Sequence, residues 1–338
     1  MGITGAGRAA EAHLDAIDAV EDCTVAAVAS PSGPEDTISA FKLSADSYTD
    51  HAEMCGRDDL DAVLICTPTH LHAEQIQIAI QNNLHILCEK PIVRDAERLR
   101  SLVWQLEKTE SVFLPGHILR YQEPYLTLKQ QLENKEIGEL LSVHTRRLSS
   151  FPDWGSRDWF ADSGKSGGVF LDLAIHDIDF INWAVGGIRS VVGSKAVEED
   201  KQHGTVLLET HDGVTCTVEA SWAQPENRPF VTQFEAVGSQ GVMNYSDSTI
   251  GFEGPSKDVD SRESSGKSQE RIDFWTDTDS SELWRCTGDA WENQMVEFVD
   301  CIREGESPRT SLEDAIQAVK IAGAANESVK KNQRIFIE

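Results

Sequence analysis

Short apolar runs alternate with amphipathic stretches through the first third of the chain, and this alternation restricts the fold more than any other feature. The runs are "MGIT", "TVAAVAS", "LDAVLICTP", "LHILCE" and "VFLPGH". Between them lie helix-like pieces. In "HAEQIQIAIQNN" Ala73, Ile76 and Ile80 share a face, and in "RDAERLRSLVWQLEKTE" Leu99, Leu102, Val103 and Leu106 form one stripe. Strands separated by crossover helices pair in parallel, so the pattern predicts an α/β domain built on a doubly wound parallel sheet.

After "GHILRYQEPYLTLKQQLENKEIGEL" the period shortens to two, in "LLSVHTRRLSS", "RSVVGSKAVEE", "GTVLLETH", "GVTCTVEASWA" and "FVTQFEAVGS". "ETHDGVTC" carries the Asp-Gly turn of a β-hairpin. A second, α+β domain is therefore expected, with a large, mostly antiparallel open sheet and helices on one side. The 338 residues suit two cores, divided into 1–117 and 118–338, with the last helix and strand packing back near the first domain. The stretch from Ser246 to Ser281, rich in Ser, Asp, Gly and Lys, reads as loops. Ser311 and Asp314 open the last helix with a capping-box pattern.

Charge narrows the partners. Against 30 basic residues stand 57 acidic ones, a formal charge of −27 that repels nucleic acid and anionic membranes. Arginine also outnumbers lysine, which fits a halophilic source as well as an acidic bacterial protein. The apolar runs are too short to span a bilayer, and the start lacks a basic, then apolar, leader, so a cytoplasmic location is expected. None of the seven cysteines falls in a CxxC or CxxH pairing, which argues against a zinc cage or disulfide scaffold; Cys66 and Cys88 read as buried thiols.

Two places carry chemistry. "GAGRAA" is a GxGxxA turn between the first strand and a helix: Gly5 allows the tight turn, Gly7 lets a pyrophosphate approach, Arg8 opens the helix and small Ala10 permits close packing. Only four residues precede Gly5, so a shortened first strand is expected. The second strand ends at Ser30 rather than at an acid that would bind a ribose 2′-OH. The expected cofactor is thus NAD(P) with a lean to NADP, Lys42 being the nearest candidate cation; the alternative is that residues 30–34 are only a turn and both cofactors are accepted. Further on, "TPTHLH", with Thr67, Pro68 and His72, and "CEKPI", with Glu89 and Lys90, follow successive strands at the sheet's C-terminal edge, where such folds bind ligands. Pro91 restricts the backbone of Lys90.

In the order of these motifs the chain resembles the Gfo/Idh/MocA family (glucose-fructose oxidoreductase, inositol dehydrogenase, rhizopine catabolism). The resemblance runs from "GITGAGRAAEAH" through "CEKP" and "SGGVFLDLAIHDIDFINWAVG" to "SLEDAIQAVKIAGAANESVKKNQRIFI". It implies an NAD(P)-dependent oxidoreductase acting on a sugar, polyol or inositol, with Lys90, Asp172 and His176 flanking the carbinol carbon. An i, i+4 spacing sets Asp172 and His176 on one helical face. His176 would take the hydroxyl proton, Asp172 would orient the imidazole or contact a substrate hydroxyl, and Lys90 would polarise the oxygen. By the same resemblance Arg120 and Tyr121 line the substrate pocket, and the open sheet face forms a homodimer or homotetramer. Ala174 stands where many relatives have Gly. Trp154 and Arg157, in a polar-aromatic loop, suit a carbohydrate, while Trp159 is as readily interdomain core. Asp179 is expected to serve structure by bonding backbone near its helix. A metal at His70, His72, Asp172 and His176 matches no familiar spacing. The remaining rivals are a reductase of a non-carbohydrate substrate on the same scaffold and a non-catalytic sensor of nicotinamide nucleotide; the presence of Lys90, Asp172 and His176 together disfavours both.

Overall fold

The computed structural model describes residues 1–94, 96–152, 157–247, 271–276 and 289–337. Its first sheet is assembled from β1 (Gly2–Thr4), α1 (Arg8–Ile17), β2 (Ala27–Ala29), α2 (Glu35–Ala40), β3 (Asp46–Tyr48), α3 (His51–Cys55), β4 (Ala62–Ile65), α4 (Thr69–Gln81), β5 (His85–Glu89), α5 (Ala96–Leu106) and β6 (Phe113–Gly116). All six strands are parallel, in the order β3-β2-β1-β4-β5-β6, the doubly wound arrangement that binds dinucleotides where the order reverses. The short first strand suffices: all three residues of β1 pair with both β2 and β4, and Ile3 is buried between them. β3 gave no signal in the sequence, because a three-residue edge strand whose Asp46 and Ser47 are exposed has no apolar run.

A 3-10 turn (Ile118–Tyr121) and α6 (Glu123–Glu133) lead into the second unit. There follow β7 (Leu140–Leu148), α7 (Arg157–Ala161), α8 (Ser163–Ser166), a π-helical turn (Phe170–Ala174), α9 (Ile175–Ala184), β8 (Ile188–Glu198), β9 (Lys201–Thr210), β10 (Thr215–Ser221), β11 (Val231–Gly238), β12 (Gly241–Asp247), β13 (Arg271–Thr276), α10 (Ala290–Glu304), α11 (Leu312–Lys331) and β14 (Ile335–Phe336). The strands form one eight-stranded sheet, β13-β12-β11-β7-β10-β9-β8-β14, antiparallel except for the central β7–β10 pair. Alternation decides its faces. Val143, Val206, Val218 and Phe234 are buried on the side that meets α9 and α11, whereas His144, Leu207, Thr215 and Glu235 on the other side are exposed.

Two expectations need correction. Residues 246–281 are not all loop: β12 runs to Asp247 and β13 pairs with it, while 248–270 and 277–281 lie outside the described residues. The last strand does not return to the first domain, because β14 pairs with β8. α11 packs on β8 and α9 and also reaches α5 and β6, and it is α10 that closes over the first domain, with Met295 and Phe298 joining Ile3, Leu14 and Leu64 in one core.

The units are tied by a buried guanidinium. Arg120, in the 3-10 turn, donates from Nε and Nη2 to the two Asp179 oxygens at 2.9 and 2.7 Å. Its Nη1 lies 2.9 Å from Asp314, and Trp183 stacks 5.0 Å from the guanidinium carbon. Asp314 also closes the capping box with Ser311. Removing Asp179 leaves the buried guanidinium only the Asp314 contact, in a medium that cannot solvate its other donors, so Asp179→Ala should lower unfolding stability by about 3 kcal/mol. A denaturant midpoint indistinguishable from that of the parent would contradict this clamp.

Candidate active site

At the C-terminal edge of the first sheet, β1 gives way to the glycine turn. Gly5 has φ +103°, and a Cβ there would lie 2.7 Å from the Cys66 carbonyl oxygen, so no other residue fits without moving β4's exit. Gly7 caps α1 with no side chain on the first-turn amides, and a Cβ there would meet nothing within 4 Å. Ala10 is fully buried. A helix N-terminus with no side-chain cap and open space at Gly7 fits the pyrophosphate of a dinucleotide.

The two loop tips that follow β4 and β5 are braced from within. His72, 1% exposed, sets its ring nitrogens 2.7 Å from the Thr67 carbonyl and 2.9 Å from that of Pro91. Burial draws its pKa down, so the neutral ring donates to one carbonyl at a time. Glu89 is likewise interior: Oε1 meets His13 Nε2 at 2.9 Å, and Oε2 accepts the Lys90 amide at 3.2 Å. Burial opposes its charge, but the His13 hydrogen bond, with the charges of His13 and Lys90, brings its pKa below the usual carboxylate value. Both residues, expected at the cofactor, brace the loops that would carry it. Thr67 bonds Gln75 through its hydroxyl, and Pro68 caps α4. The Lys90–Pro91 peptide is cis.

Lys90 leaves this brace and crosses to the second unit. Its Nζ donates to the Asp172 carbonyl at 2.7 Å and approaches Asp172 Oδ1 at 3.3 Å, with both side chains largely shielded. Asp172 sits in the π-helical turn and His176 in the first turn of α9, so the regular α-helical face expected for the pair is interrupted. The carboxylate consequently pairs with Lys90, and His176 Nδ1 is sealed from solvent without a hydrogen-bond partner. Burial, Lys90, Arg147 and His117 together push the His176 pKa well below its ordinary value. The imidazole is held neutral.

Several residues differ from their expected places. Arg120 is fully buried against Asp179 and Asp314, and the buried Tyr121 donates its hydroxyl to Glu297 at 3.0 Å. Asp179 does serve structure, but through Arg120 rather than through backbone. Trp154 lies outside the described residues, and Arg157 opens α7. Trp159 stacks on Phe160 at 4.1 Å, in a group that includes Phe151 and Trp222. Cys66 and Cys88 are thiols whose pKa burial raises well above the usual range. Ser30 is nearly buried, its hydroxyl 3.2 Å from that of Ser32.

Two residues beside the site had escaped notice. Arg147 grips Asp177 at 2.6 and 3.2 Å and takes the Tyr125 hydroxyl at 3.0 Å. His117, just past β6, is buried with neither ring nitrogen hydrogen-bonded and Nδ1 3.6 Å from Asp179. Its signal was its place: a polar residue directly following an apolar strand at the ligand-binding edge.

Comparison with known proteins agrees with this geometry. A family described as "Oxidoreductase family, NAD-binding Rossmann fold" matches residues 1–117, and "GFO/IDH/MocA C-terminal domain" matches residues 125–244. Inositol 2-dehydrogenase of Rhizobium meliloti is 28% identical over 354 residues, covering 100% of this chain and 98% of the relative. Myo-inositol 2-dehydrogenase of Thermotoga maritima is 24% identical, with coverage of 100% and 98%. Levoglucosan dehydrogenase in complex with NADH has the same fold, with a TM-score of 0.82 at 21% identity over 100% of this chain and 98% of that one. On both of its halves, and in the order of its motifs, the chain belongs to the GFO/IDH/MocA family of oxidoreductases.

Proposed function

We propose that the chain is an NAD(P)-dependent dehydrogenase that interconverts a secondary alcohol and a ketone on a sugar, polyol or inositol. One observation carries the reading: a lysine from the edge of the dinucleotide-type sheet meets Asp172 of the second unit at 2.7 Å, four residues before a half-buried histidine held neutral. The names of the inositol and levoglucosan dehydrogenases among its relatives support the substrate class.

Gly5, Gly7, Arg8 and Ala10 would hold the pyrophosphate on the N-terminus of α1, with Thr67 and Pro68 beside it. The nicotinamide, when bound, accepts the hydride or returns it. Everything else falls to the chain's own groups. Lys90 brings a positive charge to the substrate oxygen, where negative charge develops as the proton departs. His176, held neutral, takes that proton, and Asp172 keeps Lys90 aimed across the cleft. The loop bearing Trp154 and Arg157 would cover the substrate. A second copy of the chain would pack on the exposed sheet face that carries His144, Leu207 and Glu235.

Replacing Lys90 or His176 by Ala should abolish turnover while NADH affinity, followed by fluorescence titration, stays within a few-fold; turnover retained in both would sink the assignment. Because His176 is held neutral, kcat/KM for alcohol oxidation should stay level as pH falls through about 6.5, the ordinary histidine value, and decline only below it. A midpoint at or above that value would show that another group is the base. Sizing by light scattering at micromolar concentration should return a dimer or tetramer, and a monomer would remove the sheet face from the proposal.

A further inference from the structure

The corner beside the glycine turn holds a carboxylate that the end of β2 had not suggested. Past Ala29, the Ser30 amide donates to the Tyr48 carbonyl at 3.0 Å, and the Gly33 amide returns to the Ser30 carbonyl at 2.9 Å. Gly33, at φ +83°, closes this turn. Glu35 then folds back over it: a Cβ on Gly33 would lie 2.3 Å from Glu35 Oε2, so the glycine leaves room for the carboxylate. The other oxygen accepts the Ser47 hydroxyl at 2.7 Å, from the middle of β3. α2 is itself linked to the glycine turn, since Thr37 Oγ1 donates to the Ala6 carbonyl at 3.4 Å. The Ser47 hydrogen bond thus holds the Glu35 carboxylate over the turn between the tips of β2 and β3, and the Thr37 bond ties its helix to the glycine turn. That is the side on which the adenosine ribose lies when a dinucleotide rests on the first helix of such a sheet.

Resting on the dinucleotide reading above, the geometry points to Glu35 as the residue that selects NAD over NADP. An ionised carboxylate accepts a hydrogen bond from a ribose 2′-hydroxyl and repels a 2′-phosphate. The Ser47 hydroxyl and its own amide hold the Glu35 pKa below the usual carboxylate value, so the charge is present at neutral pH. Arg57, on the β3 side, is taken by Asp46 and Asp59 at 2.6 and 2.7 Å, and the neighbouring Asp36 is exposed and acidic. The lean to NADP rested on Ser30 standing where the acid belongs; here the acid arrives from the next helix, five residues later.

Fluorescence titration with NADH and NADPH at equal salt tests this without a substrate. The parent protein should bind NADH about tenfold to a hundredfold more tightly than NADPH, the range expected for one charge-assisted hydrogen bond. Glu35→Ser should erase most of that ratio by weakening NADH and improving NADPH, and Ser47→Ala, which only loosens the carboxylate, should erase part of it. Glu35 is exposed, so an unchanged melting temperature will certify the fold. Equal affinities in the parent, a preference for NADPH, or a ratio unmoved by Glu35→Ser would overturn Glu35 as selector while leaving the dinucleotide site standing. Binding of neither nucleotide would overturn both.

Discussion

Charge pairing along one buried helical segment organises the molecule. Asp172, Asp177 and Asp179 each hold a cation delivered by a different element: Lys90 from beyond β5, Arg147 from β7 and Arg120 from the 3-10 turn between the units. An apolar helix with three carboxylates reads as a contradiction until these partners are known. Each carboxylate is then the far half of a tie, and the segment becomes the hub on which the first sheet, the second sheet and the connection between them converge. Asp177 and Asp179 are almost wholly shielded from water, where such pairs contribute less to net stability than to insisting on one arrangement.

The surface and the interior of the protein obey different electrostatics. The chain carries a formal charge of −27, yet around His176 the groups that matter are Lys90, Arg147 and the neighbouring His117, and they act on it with burial in the same direction. The result is an imidazole that stays uncharged where an exposed one would be partly protonated. A proton acceptor next to a fixed ammonium is what alcohol oxidation calls for, and the scaffold provides both without a metal-type cluster among the described residues.

Much of this was legible in the sequence, and the exceptions share a cause. Burial writes periods of 3.6 and 2 into the chain, so the parallel sheet, the β9–β10 hairpin and the capping box at Ser311 were all readable. β3 was not, since an exposed three-residue edge strand leaves no period. Lys90 could be nominated because a strand end marks it, and Asp172 because the family resemblance points to it and its spacing to His176 agrees. The role of Arg120 could not: its carboxylate partner is 59 residues away, and nothing local tells whether a guanidinium after a strand turns toward a cleft or inward. Glu35 was missed for a similar reason, because the expected acid was sought at the strand end and its approach depends on Gly33 and on Ser47 of a strand that was itself unseen.

The π-helical turn from Phe170 to Ala174 bears on how this protein could vary. A π-turn holds one residue more than the α-helix it interrupts, and each helical residue advances the side-chain direction by roughly 100°. Losing a single residue there would restore a regular helix and swing Asp172 away from Lys90 relative to His176, while leaving the apolar composition of the segment almost unchanged. Point substitutions in this segment alter what a position carries; a one-residue deletion alters which way every position before it faces. In this stretch, chain length is itself a part of the active site.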